Sequence, residues 1–195
     1  VTASQLSKML LVSLGYDSDI EGYTGNAWDM NVNVRATQVG LYKGLEGVDV
    51  SAALTRDNAA QMVWNALQAK EVKYEYTLVS ENGQLVSKPT LVEKDITLLE
   101  DKYDAKAITG TLTKVKQDNG KSTYNITIEN AKYNGGTYNG GTVSYTDVSK
   151  DYSDLLYQNV RVLVKPDKNG KDAVVYGVYA TGKNTVQTGL LADLK

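Results

Sequence analysis

The chain has 195 residues, 42% of them hydrophobic, and a formal net charge of −2, which gives no electrostatic reason to expect nucleic acid or an anionic membrane as partner. It contains no cysteine and no histidine, which excludes disulfides, thiolate chemistry, a catalytic triad of the usual kind and a histidine-based zinc site. No apolar run approaches the roughly 18–20 residues that span a bilayer, so no membrane span is expected here.

Residues 2–14, TASQLSKMLLVSL, predict a first amphipathic helix. Thr2 is its cap and Gln5, three residues on, completes a capping box. Leu6, Met9, Leu10 and Leu14 are expected to form the apolar stripe, extended by Val12, with Gly15 as the stop. A polar loop follows from Tyr16 to Asn26, with acids at 17, 19 and 21. DSDIEG has a superficial likeness to a calcium loop but lacks the twelve-residue spacing and terminal glutamate, so no metal is expected.

Asn26 is read as the cap of a second helix, in which Trp28, Val32, Ala36 and Val39 recur at helical spacing. Gly40 and Gly44 bound the turn after it. LTRDNAAQMVWNAL, from Leu54 to Leu67, is the third helix. Thr55 caps it, Asp57 complements its dipole, and Ala59, Met62, Val63, Ala66 and Leu67 make its apolar face. The outer helices echo each other in Thr, Met and Leu at matching offsets, with Thr2 and Thr55 standing 53 residues apart. A period of that size marks a repeated supersecondary unit.

Trp28, the turn Gly40-Leu41-Tyr42-Lys43-Gly44 and the helix start Thr55-Arg56-Asp57-Asn58 together resemble the S-layer homology domain of bacterial cell-envelope proteins. The likeness covers residues 1–70, as one full module preceded by the last helix of another. It implies modules gathered in a pseudo-threefold cluster whose clefts bind secondary cell-wall polysaccharide, often carrying pyruvate ketals. Transferred by position, Arg56 would be the anion ligand at the helix mouth, Thr55 its capping neighbour, and Trp28 either a sugar-stacking surface or core. Further modules, of the same chain or of other copies, are the second partner implied. The first helix carries Ala3 where the signature has arginine.

After Gln68 the character changes. Residues 71–106 read as an extended connector, a hairpin turning at Asn82-Gly83, with Pro89 marking an edge or interruption. Residues 107–195 predict a mainly antiparallel β-domain. Its strands are AITGTLTKVKQ with a bend at Gly110, STYNITIEN, GTVSYTDV, VRVLVKP and DAVVYGVYATG, and NTVQTGLLADLK adds one more. YSDLLYQN reads as a short helix capped by Ser153. Three strands, a helix and two strands suggest an OB-like barrel, with a small sandwich as the rival. Tyr176 and Tyr179, three apart on one strand, are expected on opposite faces.

The fold class is therefore α+β, with a helical unit at 1–70, a connector at 71–106 and a β-domain at 107–195. Nothing nominates a catalytic carboxylate pair or a phosphate loop, so the chain reads as non-enzymatic and without a cofactor. The expected function is non-covalent attachment of an exported Gram-positive surface protein to cell-wall polysaccharide, outside the cell in the wall or S-layer. The alternatives are a spacer or assembly module without glycan binding, and a non-catalytic part of an extracellular glycan-processing enzyme. With Val1 first and no leader pattern, the chain is expected to come from inside a longer protein.

Overall fold

The helix signals in the first third fold as local chemistry dictates. Helix α1 spans Ala3–Ser13, and Thr2 and Gln5 exchange both bonds of the capping box: Gln5 N–H to Thr2 Oγ1 at 3.2 Å, Thr2 N–H to Gln5 Oε1 at 3.0 Å. Helix α2 spans Trp28–Val39 and ends at Gly40 in the left-handed conformation. Its N-cap is Ala27, which makes no side-chain cap bond, so Asn26 is not the cap. Helix α3 spans Arg56–Gln68, capped by Thr55. The structure is a computed structural model that describes residues 1–45, 47–166, 172–182 and 184.

The face that α1 buries differs from the expected stripe. Ala3, Ser4, Ser7 and Leu11 are buried, with Leu14 just beyond the helix, while Met9 and Val12 are exposed. The cause is polar packing against α2. Ser7 Oγ donates to the Tyr42 hydroxyl at 2.9 Å, which donates to Asn33 Oδ1 at 2.6 Å. Ser4 Oγ lies 3.1 Å from Asn33 Oδ1 and 3.0 Å from the Val50 carbonyl. Satisfied hydroxyls cost little to bury, so two serines hold a face that hydropathy assigns to leucines.

Strands β1 (Lys70–Glu81) and β2 (Gln84–Thr97) form a two-stranded antiparallel ribbon. Asn82 and Gly83 turn it with φ of 50° and 80°, the positive pair that suits the right-handed twist of a hairpin. Pro89 stands opposite Tyr76. The base of the ribbon is tied to α1, with Val72 N–H donating to the Leu14 carbonyl at 2.8 Å. Gly15 permits this approach: at φ 100° a Cβ there would lie 2.4 Å from the Val72 carbonyl oxygen. At the same end, opposite Lys70, β2 stops at Thr97, and the connector residues beyond it form helix α4, Leu98–Tyr103. Thr97 Oγ1 accepts from Glu100 N–H, and Leu98 and Leu99 are buried.

The chain divides into two compact units, Val1–Tyr103 and Asp104–Lys195. The ribbon belongs to the first unit, whose core gathers Leu11, Leu14, Tyr23, Val32, Ala36, Leu41, Ala66 and Val72.

In the second unit β3 (Lys106–Gln117) pairs with β4 (Tyr124–Tyr133) and with β7 (Asn159–Pro166). β4 also pairs with the short β5 (Gly136–Thr137) and with β6 (Thr142–Val148), and β7 pairs with β8 (Asp172–Ala180). All pairings are antiparallel, so the α+β class with mainly antiparallel sheets holds. The OB-like barrel does not: β6 and β8 approach each other, but no ladder joins them among the described residues and the sheet stays open. A two-sheet sandwich is not formed either, because all six strands belong to one sheet.

The core of this unit is Ile108 and Leu112 of β3, Ile126 and Ile128 of β4, Val160, Val162 and Val164 of β7, and Val178 of β8. Each such side chain contributes about 1.5–3 kcal/mol on burial. Gly110 sits at a register shift between β3 and β4, as the bend expected there requires. The short helix is a 3-10 turn, Ser153–Leu155, and its N-cap is Tyr152 rather than Ser153, with no side-chain cap bond; just before it Asp151 Oδ1 accepts from Ser153 N–H at 2.9 Å. Tyr176 and Tyr179 are both exposed, because a bulge opposite Leu163 and Val164 resets the alternation. The turn expected at 167–171 and the last strand expected after Asn184 lie outside the described residues. No helix among the described residues is long and apolar enough to cross a membrane.

Candidate functional site

The two Thr-capped helices begin side by side. Thr2 bridges to Ala53, Leu54 N–H donates to the Val1 carbonyl at 3.0 Å, and Ser4 N–H donates to the Val50 carbonyl at 3.1 Å. Thr55 does what its position predicts, its Oγ1 accepting from Asn58 N–H at 3.2 Å. Arg56 follows it on the first turn of α3. It is exposed and makes no hydrogen bond or ion pair among the described residues, so no internal acid claims its charge.

Trp28 is elsewhere. It opens α2 half-buried, one side packed on the core of the first unit, the other facing an open pocket of about 510 Å³. Helix α1 supplies Gln5, Lys8 and Met9 to the walls. The loop before α2 supplies Tyr23, Thr24 and Gly25, and Val1 closes one side. The indole therefore packs on the core with one side and leaves the other toward the pocket. Arg56 and Thr55 do not line this pocket, so the three residues expected to share a site are not brought together in it.

Sequence reasoning missed the pocket's cation. Lys8 Nζ donates to the Tyr23 carbonyl at 2.7 Å and stands 5.7 Å from the centroid of the Trp28 ring. No carboxylate reaches it among the described residues, and no acid lines the pocket. Cation and indole lie on two helices, twenty positions apart in the sequence, so no local motif announced them.

Two acids of the loop, Asp17 and Glu21, serve structure. Asp17 Oδ1 accepts from the N–H groups of Asp19 (2.9 Å) and Ile20 (3.1 Å). Glu21 Oε2 accepts from Arg35 Nη2 at 2.8 Å and Nε at 3.1 Å, and Glu21 Oε1 accepts from the Tyr74 hydroxyl at 2.8 Å. Burial and that carboxylate push the Tyr74 hydroxyl up to about 12. The Arg35 guanidinium lies 5.3 Å from the Tyr16 ring centroid. This network fixes the loop carrying Tyr23–Gly25 between α2 and β1, and so shapes one wall of the pocket. No group of three or more metal-ligating acids occurs among the described residues.

With apolar walls, an indole face and a held ammonium, the pocket can stack a ring and receive a negative charge at its edge. No family profile, no curated protein and no solved structure matches this chain.

Proposed function

We propose that the helical unit is a non-catalytic attachment module that holds an acidic cell-wall polysaccharide at the bacterial surface without a covalent bond. The observation that carries this reading is the Trp28 pocket: a half-buried indole walls an open cavity that contains a cation and no acid. Flat aromatic faces hold sugar rings through the rings' apolar C–H surfaces, and a neighbouring cation selects for acidic ones. The likeness to S-layer homology modules, in Trp28, the Gly40–Gly44 turn and the Thr55-Arg56 helix start, supports the same function. On this reading the protein works outside the cell, in the wall or S-layer.

The test is co-sedimentation of the chain with purified acidic wall polysaccharide. The chain is expected to pellet with the polymer. Trp28→Ala, folded by circular dichroism, is expected to weaken binding roughly three- to tenfold. A chain that stays in the supernatant would leave the second reading, an assembly module. That reading is favoured by the exposed Met9, Val12, Met30 and Val34 on α1 and α2, which suit packing against further modules.

A further inference from the structure

We infer that Lys8, and not Arg56, is the cation that receives the ligand's negative charge, and that the ligand unit is a carboxylate-bearing sugar ring stacked on Trp28. The inference rests on the wall-polysaccharide reading and narrows it to one chemistry and one pair of side chains.

Two cations stand in different surroundings. Arg56 is exposed on an open helix turn and does not line the pocket. A charge in that setting is well hydrated, and an exposed pairing there gains little. Lys8 is half-buried, its stem on the α1 face beside Met9 and its ammonium inside an apolar-walled pocket. Its two neighbours are a backbone carbonyl and an indole face. Both orient the ammonium, and neither neutralises its formal charge. A cation drawn partly out of water without a counter-charge gains most from an anion delivered to it.

Geometry narrows the anion. The carbonyl of Tyr23 uses one of the three ammonium protons, which leaves two for a ligand. Nζ stands 5.7 Å from the centre of the Trp28 ring, a distance one sugar residue bridges with its ring on the indole and an acid at its rim. Besides Lys8 the pocket lining contains no cationic side chain to match a doubly charged group such as phosphate. A single carboxylate satisfies what is there. Thr24 and Gly25 complete the loop wall.

The test uses the whole chain and two probes: purified acidic wall polysaccharide, and the same polymer with its carboxyls reduced to alcohols. Lys8→Met keeps the stem and removes the charge. It is expected to weaken binding of the acidic polymer roughly ten- to hundredfold, the size of one charge-assisted hydrogen bond. It is expected to weaken binding of the reduced polymer several-fold less, because a neutral hydroxyl is a weaker partner for the ammonium. Lys8→Arg is expected to retain most of the affinity, which guards against a loss caused by misfolding. Arg56→Gln is expected to change binding less than twofold. Loss of binding in Arg56→Gln with Lys8→Met intact would overturn this assignment and leave the attachment reading standing. An equal loss on both polymers in Lys8→Met would overturn the carboxylate. A wild-type chain that binds neither polymer would overturn the attachment reading and this inference with it.

Discussion

Gly110 shows how much one missing side chain can carry. It lies where β3 shifts register against β4, and a Cβ built there would stand 2.6 Å from the Glu129 carbonyl oxygen and 2.6 Å from Ile128 Cγ2. The obstacles are a backbone atom in a paired strand and a branched core side chain, and neither has room to withdraw. Gly110→Ala is therefore expected to destabilise the second unit by about 1–3 kcal/mol, the usual range for overpacking. A urea midpoint that does not move would show that the two strands can separate at no cost. Gly177 has a different neighbour: the ring of Tyr179 folds over it, with its hydroxyl 2.5 Å from where a Cβ would sit. That contact covers backbone on an exposed strand face.

Among the elements, local signals were legible and cross-element ones were not. Thr2 with Gln5, Thr55, Gly40 and Asn82-Gly83 each act within four residues of themselves, and each does what its type predicts. The buried face of α1 departs from the expected stripe because Ser4 and Ser7 owe their burial to Asn33, Tyr42 and Val50, partners far away in sequence. The faces of Tyr176 and Tyr179 were misread because a bulge depends on the partner strand. The pocket was half legible, since Trp28 stood out and Lys8 did not. The link between α2, the 16–26 loop and β1 was hidden for the same reason, and it has a pH signature. Unfolded, Tyr74 ionises near 10 as any tyrosine does. Folded, burial and the Glu21 carboxylate raise it to about 12. Its contribution is fully present below pH 10 and falls as pH rises toward 12, because there the unfolded chain has released a proton that the folded chain keeps. Tyr145 of β6, raised to about 12 by burial, adds the same trend in the second unit. Urea midpoints are expected to fall steadily from about pH 10 upward. Midpoints constant to about pH 12 would contradict both assignments.

Across the whole molecule, the two units have cores that share no residue: Leu11 to Leu98 build one, Ile108 to Val178 the other. Separate cores favour separate cooperative transitions. Calorimetry is expected to resolve two unfolding events, or a calorimetric enthalpy larger than the van't Hoff value. Gly110→Ala is expected to shift only one of them. A single transition that moves as a whole would mean the units stabilise each other. The placement of the two tryptophans adds something more. Trp28 and Trp64 both belong to the first unit, and only Trp28 lines the pocket. The protein therefore holds an intrinsic fluorophore at the mouth of its own cavity and a second one away from it. Occupancy can be followed by emission colour and quenching without any label, against a background to which the β-sheet unit contributes no indole light.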